Sequence, residues 1–155
     1  YLMQGLAEER LIGACGFITG AQKAFEVTRE FVMERKVFGK PLSHMQYTQF
    51  KMAELRTEID VAQAHVDACV TAHNNGELSS EDAAKAKLYT SEVLCRMVDE
   101  GVQLHGGAGY MDEYPISRMY TDARITRIFA GTSEVMKLIV GRDIFSDKFV
   151  PFIDR

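Results

Sequence analysis

The run Gln103-Leu104-His105-Gly106-Gly107-Ala108-Gly109-Tyr110 closes a long helical pattern with a cluster of glycines. Glycine lacks a Cβ and reaches positive φ at little cost, so successive amides can turn inward as a nest for a phosphate. The same residues also suit a plain helix stop and turn. Glu34-Arg35-Lys36-Val37-Phe38-Gly39-Lys40 offers cations for a phosphate and an aromatic to cover a ring, or a helix C-terminus stabilised by its cations and stopped by Gly39. Ala130-Gly131-Thr132-Ser133-Glu134 sets a glycine and two hydroxyls at a helix start, where free amides attract anions or are simply capped. Glu8-Glu9-Arg10 falls where the first helix begins, as candidate proton-transfer carboxylates or as partners of the helix dipole.

Other chemistries fit the chain badly. A di-iron bundle needs Glu-x-x-His, yet the residues three before His44, His65, His73 and His105 are Pro41, Ala62, Val70 and Val102. The cysteines have no paired ligand spacing, so no metal is expected. Gly106 to Gly109 neither follow a strand nor open a helix, which removes a dinucleotide fingerprint of the Rossmann type.

Long helices must position these clusters. Leu11, Ile18, Phe25 and Val32, with Ala14 and Ala21, mark one face of a first helix. Met52, Leu55, Ile59, Ala62, Val66 and Cys69 repeat the spacing in a second, which Asn74-Asn75-Gly76 ends. A third is capped by Ser79 or Ser80, carries Glu81 and Asp82 in its first turn, and has Ala84, Leu88, Ser91, Cys95, Val98, Val102 and His105 on one face. A shorter helix opens near Thr132, no strand competes, and Pro41 and Pro115 are expected in connections. Helices of about 25 to 30 residues span roughly 40 Å. Joined by short connections, they predict one all-α domain over residues 1–155, an antiparallel bundle of the four-helix type. The tail, Phe145 to Arg155, is apolar enough to dock on something.

At 155 residues the chain can bury a real core. A hydrophobic content of 46% with 26% charged residues excludes a disordered segment, and charges break every apolar run before the roughly 20 residues of a membrane span. A net charge of -4 without a basic stripe removes the electrostatic case for nucleic acid. Cys15, Cys69 and Cys95, odd in number and inside helical patterns, predict buried free thiols in a reducing compartment. The chain starts without Met and in mid-pattern, which reads as part of a longer protein.

The order of these segments resembles the C-terminal helical domain of the acyl-CoA dehydrogenases. The likeness runs from Glu-Glu-Arg-Leu through Arg-Lys-Val-Phe-Gly-Lys, His44-Met-Gln46, the glycine run, Asp122-Ala-Arg and Ala-Gly-Thr-Ser-Glu to Gly141-Arg142. It implies a helical N-terminal domain and a β-rich middle domain ahead of this one, and FAD bound between domains and across a subunit interface. By resemblance, Arg35, Phe38 and Gln46 contact the flavin nucleotide, and Gln103, Leu104, His105, Gly106 and Gly107 line the cofactor portion given by a neighbouring subunit. Thr132, Ser133 and Glu134 match the segment near the pyrophosphate.

The reaction implied is α,β-dehydrogenation of an acyl-CoA thioester, with a carboxylate taking the α-proton. Many family members place that Glu directly before Gly-Thr, where this chain has Ala130. The isovaleryl and long-chain branches carry it instead just before Arg-Leu, which is Glu9, with Glu8 as the fallback. Ala7, Glu8, Arg10 and Gly131 match substrate contacts, and Met3, Leu6 and Met111 either line the acyl pocket or simply pack. The resemblance further implies an electron-transfer flavoprotein as acceptor, a homo-oligomer built as a dimer of dimers, and a bacterial cytoplasm or mitochondrial matrix. Two alternatives stay open: a non-catalytic helical dimerisation module, and a flavin-dependent oxidase or monooxygenase.

Overall fold

A computed structural model describes residues 2–152, with side chains from residue 5 onward. The side chain of Met3, and with it the pocket expectation, and residues 153–155 at the end of the tail therefore lie outside what is described. Three long helices, α1 (Leu2–Glu34), α2 (Gln46–Asn74) and α3 (Ser80–His105), are followed by the shorter α4 (Pro115–Arg124) and α5 (Ser133–Ile144). A two-stranded hairpin, β1 (Lys36–Val37) and β2 (Lys40–Pro41), joins α1 to α2. Among the described residues, no helix is long and apolar enough to cross a membrane.

Consecutive long helices run antiparallel. Gln22 donates to Gln63 at 2.8 Å between α1 and α2, and Arg96 pairs with Glu58 at 2.9 Å between α2 and α3. It follows that α1 and α3 run side by side in the same direction. Arg10 reaches Ser80 near their starts, and the Phe31 ring stacks on His105 near their ends, with centroids 4.0 Å apart.

Small residues let these two helices approach. Ala14, Ala21 and Ala24 on α1 and Ala83, Ala84 and Ala86 on α3 are fully buried, and a Cβ on Gly20 would stand 3.4 Å from Leu94. Leu11, Ile18, Phe25 and Val32 are buried as their spacing predicts, as are Leu55, Ile59, Ala62, Val66 and Cys69 of α2. Each large side chain taken fully out of water adds roughly 1.5–3 kcal/mol of transfer free energy. The helix ends also follow the sequence. The Ser79 hydroxyl accepts from the Asp82 amide at 3.0 Å, and Gly76 turns the chain after α2 at φ 73°.

Several expectations need correction. Helix α1 is already helical at Leu2 and has no acid in its first turn, so Glu8 and Glu9 lie inside the helix rather than at its start. The dipole-partner reading of these carboxylates therefore falls, because the effect fades beyond the first turn. Helix α1 also stops at Glu34, so the basic run after it is no helix C-terminus. It forms the hairpin instead, in which Phe38 and Gly39, at φ 49° and 79°, make the two-residue turn that a right-twisted ribbon favours. Pro41 thus sits in a strand. Pro115 opens α4 at its first turn, where a missing N–H costs nothing, rather than lying in a connection. On α3, Lys87 is buried, while Leu88 and Cys95 are half-buried. Of the cysteines only Cys69 is buried, Cys15 and Cys95 being half-buried; all three are unpaired, and burial pushes each thiol upward.

Candidate functional site

Most of the sequence-predicted residues gather at two places along α3. At its C-terminal end a cavity of about 560 Å³ is lined by Arg35, Gln103, Leu104, His105, Gly106 and Gly107, with Phe31 and Tyr47 among its other walls. Helix α3 supplies the floor. His105 is buried, and its Nδ1 donates to the Gly101 carbonyl at 2.7 Å, which leaves Nε2 as an acceptor on the neutral ring. Burial holds that imidazole below its ordinary value, against the opposing pull of the Gly101 hydrogen bond. Gly106 then ends the helix at φ 61°, its amide donating to Gln103, so the helix-stop reading holds and the same turn opens the cavity.

The glycines of this run do different things. A Cβ on Gly109 would strike the Val102 carbonyl oxygen at 2.6 Å, whereas one on Gly106 or Gly107 would meet nothing within 4 Å. Gly109 is required by packing; Gly107 is required neither by packing nor by a positive φ.

Arg35 stands at the mouth, its main chain tied to Phe31 at 2.9 Å and Leu42 at 2.7 Å. Its exposed guanidinium makes no salt bridge among the described residues. Phe38, at the hairpin tip, is 98% exposed, and Gln46, at the start of α2, is also exposed. Neither lines the cavity.

The second place is the N-terminal half of α3, where the start of α1 and the turn before α5 meet it. Ala7 and Arg10 are buried, while Leu6, Glu8 and Glu9 face outward. Arg10 makes one long contact to Ser80 at 3.4 Å, and its Nε has no partner among the described residues. It lies close enough to Lys87 to act on that ammonium, and Lys87 donates to the Gly131 carbonyl at 2.6 Å. Arg10 and Lys87, two buried cations that repel each other, thus lie between the Glu9 segment of α1 and the Ala130–Gly131 turn. Met111 is exposed in the loop before α4.

The helix start after Gly131 is partly self-satisfied. Thr132 caps α5 by accepting from the Val135 amide at 3.3 Å, and Ser133 is buried with its hydroxyl donating to Glu92 at 2.8 Å. Glu134 turns back on its own amide and the Thr132 hydroxyl, which hold its carboxyl below the usual range. The capping reading therefore describes these side chains.

Sequence reasoning missed Lys87 as a site residue. A stripe spaced by three and four from Ala84 to Ser91 admits position 87 or 88, and the apolar Leu88 looked the natural choice. From Lys87 to His105 the helix rises about 27 Å, so the two clusters lie far apart along one helix. Among the described residues, no three His, Cys, Asp or Glu gather as metal ligands.

Residues 1–145 match the family model described as acyl-CoA dehydrogenase, C-terminal domain. The chain is 47% identical over 148 residues to the mitochondrial long-chain specific acyl-CoA dehydrogenase of Sus scrofa, covering 96% of this chain and 34% of that protein. An acyl-CoA dehydrogenase structure from Geobacillus kaustophilus superposes with a TM-score of 0.92 at 40% identity, over 94% of this chain and 38% of that one. A glutaryl-CoA dehydrogenase from Mycobacterium smegmatis in complex with FADH2 superposes at 0.89 with 26% identity, over 92% and 37%. The chain thus spans about a third of the length of such relatives. A bundle that is helical but for one short hairpin, with this motif order and this match, belongs to the acyl-CoA dehydrogenase family, as its C-terminal domain.

Proposed function

We propose that this chain is the C-terminal domain of an FAD-dependent enzyme that dehydrogenates an acyl-CoA thioester of long-chain or branched-chain type, with Glu9 as the base. The observation that carries this reading is the junction at the start of α3. The α1 turn bearing Glu9 and the buried Arg10, and the turn at Ala130 and Gly131 that Lys87 holds by its carbonyl, both lie against the first half of α3. With Ala130 in place of a carboxylate, Glu9 is the acid nearest in sequence to a buried cation on that side, and Glu8 is its alternative.

In this reading Glu9 removes the α-proton while Arg10, Ala7, Glu8 and Gly131 bear on the acyl-CoA. A carboxylate in water is a poor base for a carbon acid, so Glu9, exposed here, needs the fatty chain and neighbouring protein to exclude water from it. Bound FAD supplies the acceptor for the hydride that leaves the β-carbon. The cavity at the far end of α3 fits such a dinucleotide. It offers a guanidinium in Arg35 without a salt bridge, open space beside the main chain of Gly106 and Gly107 where a side chain would otherwise stand, and a neutral acceptor in His105. Phe38, Gln46, Thr132, Ser133 and Glu134 belong to the same cofactor in this reading.

The separation of the two clusters supports a site completed by a second subunit and by domains ahead of this one. We therefore assign a homo-oligomer, a dimer of dimers, that passes electrons to an electron-transfer flavoprotein. The test is Glu9→Gln in the full-length protein. FAD content stays at the wild-type level and acyl-CoA dehydrogenation is abolished; turnover that survives the substitution refutes the assignment of the base.

A further inference from the structure

Lys87 is the largest fully buried side chain among the described residues, and its Nζ has one hydrogen-bond partner there, the Gly131 carbonyl at 2.6 Å. A lysine is a costly way to fill a core position, because its ammonium must leave water, and burial accordingly pushes its pKa down. An apolar residue would fill the volume without that penalty. What the lysine adds is a donor aimed at one carbonyl.

That carbonyl belongs to an unusual stretch. Ala130 and Gly131 are consecutive residues at left-handed φ, 53° and 98°, and for alanine this conformation is disfavoured by roughly 1–2 kcal/mol. A Cβ on Gly131 would fall 2.6 Å from Met136 Cε, so the turn is also pressed close against α5. A second tie from α3 lies just beyond. Glu92 accepts from the Ser133 hydroxyl at 2.8 Å and from Arg127 at 2.9 Å, gripping the other side of the same turn. Because a trans peptide points its N–H opposite its C=O, holding the Gly131 carbonyl toward Lys87 aims the Thr132 amide away from α3.

We infer that Lys87, assisted by Glu92, is a positioning residue for the dehydrogenation, fixing the Ala130–Thr132 turn against the acyl-CoA thioester by anchoring the Gly131 carbonyl to α3. The inference rests on the proposed function, which sets Gly131 against the substrate. Lys87 itself touches no reacting atom; it acts through the backbone it holds.

The test uses the full-length enzyme with Lys87→Met, which keeps the volume and removes the donor. FAD content per subunit is unchanged, kcat per bound FAD falls by roughly 10- to 100-fold, the range expected for a reacting group misplaced by about an ångström. The kinetic isotope effect with α-deuterated acyl-CoA rises, because proton abstraction becomes more rate-limiting. A merely structural lysine would lower the melting temperature and leave kcat per bound FAD and the isotope effect at wild-type values, which overturns the inference. If Lys87→Met does not fold, Glu92→Gln decides by the same two readings, since Glu92 is only half-buried and the substitution keeps its shape. A wild-type enzyme that dehydrogenates no acyl-CoA refutes the proposed function itself, whereas wild-type activity with unperturbed variants refutes only the role of Lys87.

Discussion

Substituting the glycines of the α3 cap one at a time separates packing from ligand approach. Gly109→Ala would bring its Cβ to 2.6 Å from the Val102 carbonyl oxygen and 2.9 Å from both Val102 Cα and His105 Cβ. Two of these are backbone atoms that cannot rotate aside, so the loop must shift. The cost belongs at the upper end of the overpacking range, about 3 kcal/mol. Gly107→Ala meets nothing within 4 Å and its φ is not left-handed. That substitution is neutral or stabilises by about 0.4–1 kcal/mol, by restricting the unfolded chain. For a domain of this size the first variant melts roughly 6–12 °C lower and the second at or slightly above wild type.

Cofactor affinity in the full-length enzyme then reverses part of the order. If the open face of Gly107 is where the cofactor approaches the main chain, its added methyl weakens FAD binding by about tenfold or more, or about 1.4 kcal/mol, in a protein that is otherwise as stable as wild type. Thermal melts and FAD titrations of the two variants provide the measurement. Wild-type FAD affinity in Gly107→Ala would refute the assignment of this loop to the cofactor. A melting loss in Gly107→Ala equal to that of Gly109→Ala would refute the packing argument.

Two further outcomes follow from residues at the same end. Burial holds the His105 imidazole below its ordinary 6.5, so below that pH the unfolded chain binds the extra proton. Stability is therefore full above about pH 6.5 and falls as pH drops beneath it, and urea midpoints for His105→Gln between about pH 7.5 and 5 decline less than those of wild type. Phe38 sits at φ 49° with its ring 98% exposed, so Phe38→Asn, which suits this turn, raises the unfolding free energy in urea titrations by up to about 1 kcal/mol while weakening FAD binding. Unchanged FAD affinity in that variant would show the ring to be idle.

The long helices were legible because their core repeats at one spacing. Leu11, Ile18, Phe25 and Val32 reveal α1 without reference to any partner, and Ser79 and Gly76 mark the boundary between α2 and α3 by local backbone chemistry alone. Helix α4 was not legible. Its ten residues are mostly polar, and its stripe, Ile116 and Ala123 with Met119 packed beside them, is too short to stand out in the sequence. The hairpin escaped for a related reason. Arg35 to Lys40 carries residues suited to a helix end, and its geometry depends on two consecutive positive φ values, one of them at a phenylalanine, a residue rarely found there.

The candidate site divides along the same line. Residues that act through their own main chain or side chain at a helix end, such as Gly106, His105 and Thr132, leave a local signature. Lys87 leaves none, because its meaning lies in a carbonyl 44 positions away. A lysine among alanines and lysines in an α3 that begins Ser-Glu-Asp-Ala-Ala-Lys-Ala-Lys reads as a solvated helix face. Only the packing of the Gly131 turn onto α3 distinguishes Lys87, fully buried, from Lys85, which pairs with Asp82 at 2.8 Å near the surface. Charge at a buried helix position therefore has to be judged by its acceptor. Here the acceptor is the Gly131 carbonyl, in a turn where Ala130 and Gly131 both take left-handed φ, so the turn needs an anchor outside itself.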